Sequence, residues 1–131
     1  MNVVFRVDSS SQMGVGHLMR CLTLADELEK QNHSAAFICR ELKGNLIKSI
    51  KNKVFILPVD KDFQSDDLYL SWLGATQEKD AKQTIQVIPD NADLLIVDSY
   101  ALDEVWHKQL KPYTKKIMVI DDLADREFNC D

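Results

Sequence analysis

Apolar and polar positions follow two rhythms along this chain. Asn2 to Asp8, NVVFRVD, is a short β-branched run closed by polar turn residues, the pattern of a buried strand. From His17 to Lys30 the period lengthens. Leu18, Cys21, Leu22, Ala25 and Leu28 recur at helical spacing and form one apolar stripe, with Asp26, Glu27, Glu29 and Lys30 turned away. Ser34 to Arg40, SAAFICR, predicts a second strand, and GNLIKSIK a short helix. Lys53 to Val59, KVFILPV, predicts a third strand, which Pro58 and the polar DKDFQSDD bring to an end. LYLSWLG, Leu68 to Gly74, reads either as a helical turn or as a loop anchored by Trp72. Glu78 to Pro89 predicts a helix with Ala81, Thr84, Ile85 and Ile88 on one side. Asp93 to Tyr100, DLLIVDSY, is the most strand-like segment; DEVWHKQLK follows as a helix and Lys115 to Asp122, KKIMVIDD, as a fifth strand.

Strand and helix in repeated alternation predict an α/β fold, a parallel sheet with helices on its faces. The strands are continuous apolar runs, as strands buried on both sides are. In such sheets ligands sit beyond the carboxyl ends of the strands. That rule selects Asp8 to Gly16, Asp98 to Tyr100, and Asp121 with Asp122, which all follow strands directly and are expected to share one edge around a central first strand.

Composition narrows the function. One domain fits 131 residues. A net charge of −5, with no Lys/Arg cluster, argues against nucleic acid or an anionic membrane as partner. The three cysteines, Cys21, Cys39 and Cys130, have no zinc-ligand spacing and read as reduced thiols of a cytoplasmic protein. No signal peptide is expected at the N-terminus, and no apolar run approaches the roughly 20 residues of a membrane helix.

The candidate chemistry gathers in DSSSQMGVGHLMRC, Asp8 to Cys21. Gly14 and Gly16 permit positive φ and close backbone approach. The helix behind them leaves its first N–H groups free at a positive dipole end. His17 stands at that helix start, where the dipole disfavours imidazolium, so the ring suits a general base; a histidine packing the turn is an equal reading. The sequence is neither a dinucleotide fingerprint, since Met19 holds the third glycine's place, nor a Walker loop. Asp98, Asp121 and Asp122 either act on a ligand or satisfy turn N–H groups, the second reading being the stronger on residue type alone. Tyr100 either reaches a ligand or packs at the sheet edge. Arg6 and Arg20 either meet an anionic or hydroxyl-rich ligand or form structural ion pairs. Trp72 and Trp106 read as core or helix anchors, and His33 and His107 as residues of polar helix ends or surfaces.

Several segments together resemble one family. FRVDSSSQMGVGHLMRCLTLA is similar to the N-terminal signature of the UDP-2,4-diacetamido-2,4,6-trideoxy-β-L-altropyranose hydrolases of pseudaminic acid biosynthesis, with an RxDxS start, a GxGHxxRC turn and LTLA in the helix. SWLGATQEKDAKQT, LLIVDSYALDEVW and IMVIDDLADR resemble further family segments in the same order. The resemblance implies a Rossmann-like domain with helices on both faces, the sugar-facing N-terminal half of a two-domain, glycosyltransferase-B-like architecture. This chain, 1–131, would be that domain alone, its C-terminal UDP-binding domain lying outside it. The implied reaction is hydrolysis of a UDP-linked sugar to UDP and free sugar, by water attacking the anomeric carbon with inversion. His17 is the implied base, and Arg6, Asp8, Gly14, Gly16, Asp98, Tyr100 and Asp121 the expected substrate-binding residues. No metal or cofactor is expected. The expected partners are the UDP-sugar and the chain's own second domain, in a monomer. Ser99 and Phe128 stand where the family carries histidines. A glycosyltransferase of the same architecture is the nearest rival. A receiver-type signalling domain lacks the acidic pair it would need after the first strand, and a degenerate binding module is hard to reconcile with an intact GVGH.

Overall fold

A computed structural model describes residues 1–131. Five parallel strands form one sheet in the order β3-β2-β1-β4-β5. They are β1 (Asn2–Val7), β2 (Ser34–Arg40), β3 (Lys53–Leu57), β4 (Leu94–Asp98) and β5 (Lys116–Val119). The helices are α1 (Gly16–Lys30), α2 (Leu68–Leu73), α3 (Gln77–Val87) and α4 (Glu104–Leu110). β1 is central, as the apolar runs predict, with Phe5 opposite both Phe37 and Ile96.

Strand alternation divides the interior into two layers. Val3, Phe5 and Val7 of β1, Phe37 and Cys39 of β2 and Ile96 of β4 face Leu18, Cys21 and Ala25, the stripe of α1. Val4, Ile38, Leu95 and Val97 face the other way, toward Leu73, Ala81, Trp106 and Leu110 of α2, α3 and α4. Helices therefore cover both faces, and the Rossmann-like expectation holds.

The second layer also holds charge. Arg6 and Arg40, the polar members of β1 and β2, are fully buried with Asp80 of α3 between them. Asp80 accepts from Arg6 Nε at 3.1 Å, from Arg40 Nη2 at 2.8 Å and from Trp106 Nε1 at 2.9 Å, and Thr84 Oγ1 lies 3.3 Å away. Asp8 closes the group, accepting from Arg6 Nη1 and from the Arg40 backbone N–H, both at 2.7 Å. Burial pushes the Asp80 carboxyl up, but the two guanidinium groups outweigh burial and hold it below the ordinary carboxylate range.

Local details differ from expectation in places. GNLIKSIK forms only a 3-10 turn, Ile47–Ser49: Gly44 takes φ +78° and the Asn45 amide bonds Leu42 O and the Ile47 N–H, which spends the segment on turns. LYLSWLG resolves as helix α2, because the Asp67 carboxylate caps the N–H groups of Tyr69 and Leu70 and Gly74 ends it at φ +76°. β5 is shorter than Lys115 to Asp122, being an edge strand paired with β4 alone. His107, read as a surface residue, is fully buried. It packs edge-on to Trp106 and against Phe128, and its Nδ1 accepts from the Asn129 N–H at 3.2 Å. No helix is long and apolar enough to cross a membrane.

Candidate functional site

Parallel pairing of β1 with β4 sets Val7 opposite Asp98, so the two chains leave the sheet side by side. Residues 8–16 then loop over the edge. Gly14 turns the loop at φ +79° and exchanges backbone bonds with Ser10, at 2.8 and 3.3 Å. Neither Gly14 nor Gly16 has a neighbour where a Cβ would stand, so both line open space. Positive φ is needed at Gly14 alone; Gly16 begins α1. Val15, the residue before α1, makes no side-chain cap, which leaves the first turn of the helix open to solvent.

His17 points from that turn onto β4. Its Nδ1 lies 2.6 Å from Asp98 Oδ1. Arg20, one turn further along α1, grips the same carboxylate through Nε at 2.6 Å and Nη2 at 2.7 Å. The Arg20 guanidinium is 3.2 Å from His17 Nδ1, but it is a donor only. A carboxylate oxygen at 2.6 Å requires a proton between, so Nδ1 carries a hydrogen, and in the neutral ring Nε2 is then the acceptor. Burial pushes the Asp98 carboxyl up, yet the hydrogen bonds from Arg20 and His17 overcome this and hold it below its usual range. The same contact with Asp98 raises the Arg20 guanidinium further. Cys21, whose Sγ–H points at Asp98 Oδ2 from 3.5 Å, is pushed up by burial and is no nucleophile.

The site's other wall is aromatic. Tyr100 meets His17 edge to face, with centroids 4.6 Å apart, and Tyr69 stands 5.2 Å from Tyr100 and 5.3 Å from Trp72. The Tyr100 hydroxyl donates to Asp122 Oδ1 at 2.6 Å, and that bond raises the phenol to about 12. A shallow depression of about 300 Å³, lined by Met13, Gly16, His17, Arg20, Trp72 and Tyr100, forms the mouth. Behind it a chamber of about 20 Å³ is lined by Asp8, Met13, His17, Tyr69, Trp72, Asp98, Ser99, Tyr100 and Ala101. A larger hollow, about 570 Å³, lies at the opposite end of the strands around Asn2, Asp93 and Lys115. The Asp93 carboxylate there is already engaged by Lys115 and the Asn2 N–H.

Of the residues expected to bind a ligand, the sheet edge brings together Asp8, Gly14, Gly16, His17, Asp98 and Tyr100. Arg6 is elsewhere. It lies inside the sheet, fully buried, its guanidinium engaged by Asp80 and Asp8, so its part is structural. Asp98 has both oxygens occupied by His17, Arg20 and Cys21, which makes it a positioning residue for the histidine. Asp121 accepts from the N–H groups of Leu123 and Ala124 and pairs with Arg126 at 2.8 Å, the turn-capping alternative. Arg126 itself donates to the carbonyls of Ser99 and Leu102, clamping the loop that carries Tyr100, a role no local pattern announced. Trp72 and Tyr69, read only as anchors or helix residues, line the site because α2 lies beside it. Phe128 packs under Arg126 and against His107, while Ser99 borders the chamber. No three His, Cys, Asp or Glu side chains are grouped so as to hold a metal ion.

Comparison with known proteins places this geometry in context. No family model matches the chain. Over 133 aligned residues, covering 100% of this chain and 40% of the relative, it is 34% identical to the UDP-2,4-diacetamido-2,4,6-trideoxy-beta-L-altropyranose hydrolase of Campylobacter jejuni. It is also 25% identical over 121 residues, 92% of this chain and 22% of the relative, to the uncharacterized protein MJ1062 of Methanocaldococcus jannaschii. The chain thus spans less than half the length of either relative. The resemblance carried by the RxDxS and GxGH segments holds over the full 131 residues, and the chain is, along its whole length, similar to a UDP-sugar hydrolase.

Proposed function

We propose that this chain is the sugar-facing domain of a hydrolase that cleaves a UDP-linked 2,4-diacetamido-2,4,6-trideoxy sugar to UDP and the free sugar, in pseudaminic acid biosynthesis. The observation that carries the reading is the His17–Asp98 pair at an open sheet edge, in a chain similar throughout to a protein of that activity. The carboxylate holds the imidazole in one tautomer and balances the positive charge that forms as Nε2 takes a proton from water. The water oxygen bonds to the anomeric carbon while the bond from that carbon to the phosphate oxygen breaks. The electron pair leaves with UDP. One displacement inverts the anomeric centre.

The domain itself offers little to a diphosphate: Arg20 is the cation at the mouth, and it is bound to Asp98. A second domain closing over the mouth, as in glycosyltransferase-B-like proteins, would hold the nucleotide, and the protein would work in the cytoplasm without a cofactor. The test is incubation of the two-domain protein with the UDP-sugar in ¹⁸O-water, followed by NMR and mass spectrometry. Expected products are UDP and an inverted free sugar carrying one ¹⁸O at C1. Transfer to an added alcohol in preference to water would make the protein a glycosyltransferase. His17→Ala should lower turnover by roughly 10²–10⁴ with UDP affinity nearly unchanged; turnover within a few-fold of wild type would leave His17 a structural residue.

A further inference from the structure

Tyr100 borders the candidate site from a loop and not from a strand, so its place beside His17 has to be fixed by other parts of the chain. Tyr100 is only half-buried. Its backbone is held by a single side chain. Arg126 donates through Nη2 to Ser99 O at 2.8 Å and through Nε to Leu102 O at 3.0 Å, two carbonyls that bracket Tyr100. The other end of the residue is held separately, where the phenol donates to Asp122 Oδ1 at 2.6 Å.

The two holds form one brace. Arg126 Nη1 pairs at 2.8 Å with Asp121, the neighbour of Asp122, and Asp121 caps the turn at Leu123 and Ala124. The guanidinium also lies over Phe128, 5.0 Å from the ring centroid. Three of its nitrogens thus meet three different groups from one rigid plane, a geometry that an ammonium cannot copy. The loops that follow β4 and β5 are locked together by it. The ring so fixed meets His17 edge to face at an angle of 81°, with Tyr69 on its other flank.

We propose that Arg126 and Asp122 are positioning residues of the reaction: they hold Tyr100 at its backbone and at its hydroxyl, and Tyr100 in turn keeps the His17 ring aimed at the mouth. The proposal rests on the hydrolase reading. Asp98 holds His17 at Nδ1, a single point about which the imidazole can still tilt. Contact with Tyr100 removes that freedom. Neither Arg126 nor Asp122 lines the mouth, so their effect falls on the chemical step and not on sugar binding. Misplacing a reacting group by about 1 Å costs up to roughly 10²-fold in rate.

The test is a double-mutant cycle on the two-domain protein, with the UDP-sugar as substrate. Arg126→Lys keeps the charge and loses the fork, whereas Asp122→Ala removes an exposed carboxylate and leaves the core untouched. Arg126→Lys should lower kcat roughly 10–100-fold and Asp122→Ala roughly tenfold, with KM moved less than about threefold in both. In a Tyr100→Ala background each should change kcat by less than about twofold, because residues that act through one another are not additive. Should Arg126→Lys fail to fold, Asp122→Ala carries the cycle by itself. Equal losses of kcat with and without Tyr100, or wild-type kcat in Asp122→Ala, overturn the proposal and leave the hydrolase reading standing. A wild type with no activity on UDP-sugars overturns both.

Discussion

Replacing Asp80 by Asn should cost the protein a large share of its stability. Asp80 is fully buried and is the carboxylate that Arg6 and Arg40 share. The asparagine fits the space, but it presents an NH₂ to one of the arginines and removes the charge. Two buried guanidinium groups are then left with Asp8 alone, which contacts Arg6 through its side chain but meets Arg40 only at the backbone. Breaking a buried ion pair by removing one partner costs about 3–5 kcal/mol. Domains of this size are stable by about 5–15 kcal/mol, so about a fifth or more of the total is at stake. With about 2.1 cal/mol/K of unfolding entropy per residue, 131 residues convert each kcal/mol into roughly 4 °C. The variant should therefore melt roughly 10–20 °C below wild type. Urea denaturation followed by tryptophan fluorescence is the natural assay, because the Trp106 indole N–H donates to Asp80 itself. The midpoint should fall with the slope unchanged. A loss below about 1 kcal/mol, the range of an exposed pair, would show that the buried arginines do not depend on Asp80 for their charge balance.

Two further outcomes follow from the site and from α4. Asp98→Asn removes the ionised acceptor that fixes the His17 tautomer, so on the proposed hydrolase reading turnover should drop roughly 10²–10⁴-fold with the circular dichroism spectrum unchanged; steady-state rates within a few-fold of wild type would detach Asp98 from the histidine. His107 is held neutral by burial, its imidazole lowered to about 4. An unfolded histidine takes its proton near pH 6.5, so acidification from about 6.5 toward 4 favours the unfolded chain, by about 2 kcal/mol at pH 5. Asp80 and Asp98, both lowered, add their loss only below the ordinary carboxylate range near 4. His107→Phe should flatten the stability profile between pH 7 and 5, and urea titrations at those two values that still show the full wild-type loss would place the titrating group elsewhere.

The strands were legible because each is a largely apolar run, and the central place of β1 followed from its being buried on both sides. The stripe of α1 was equally plain, since Leu18, Cys21 and Ala25 all reach the core. What the chain alone could not disclose is pairing at a distance. Asp98 lies 81 residues from His17, and its part as the histidine's anchor depends on the β1–β4 register, which no local pattern encodes. Arg6 looked like a ligand contact for the same reason: the Asp80 that occupies it is 74 residues away. Asp121 was the reverse case. Its turn-capping role uses neighbours two and three residues on, and residue type had already favoured it. His107 misled because a seven-residue helix with charged neighbours reads as surface, whereas Asn129 and Phe128 return to cover it.

The uneven chemistry of the two interior layers bears on how the sheet finds its alignment. Away from Asp98 at its edge, the layer against α1 is oily and tolerates sliding, since one aliphatic contact replaces another. The layer holding Arg6, Arg40 and Asp80 does not. If β2 slipped past β1 by two residues, every side chain would keep its face, but Arg40 would move about 6–7 Å along the strand. That exceeds the reach of a pair now closed at 2.8 Å. A misaligned sheet would bury a guanidinium with no carboxylate beside it, at a cost of several kcal/mol. The charged cluster therefore acts as a proofreader of the β1–β2 register: it rejects the one class of error that hydrophobic burial would accept, and so fixes β1, the strand that leads into the loop before His17, against its neighbour.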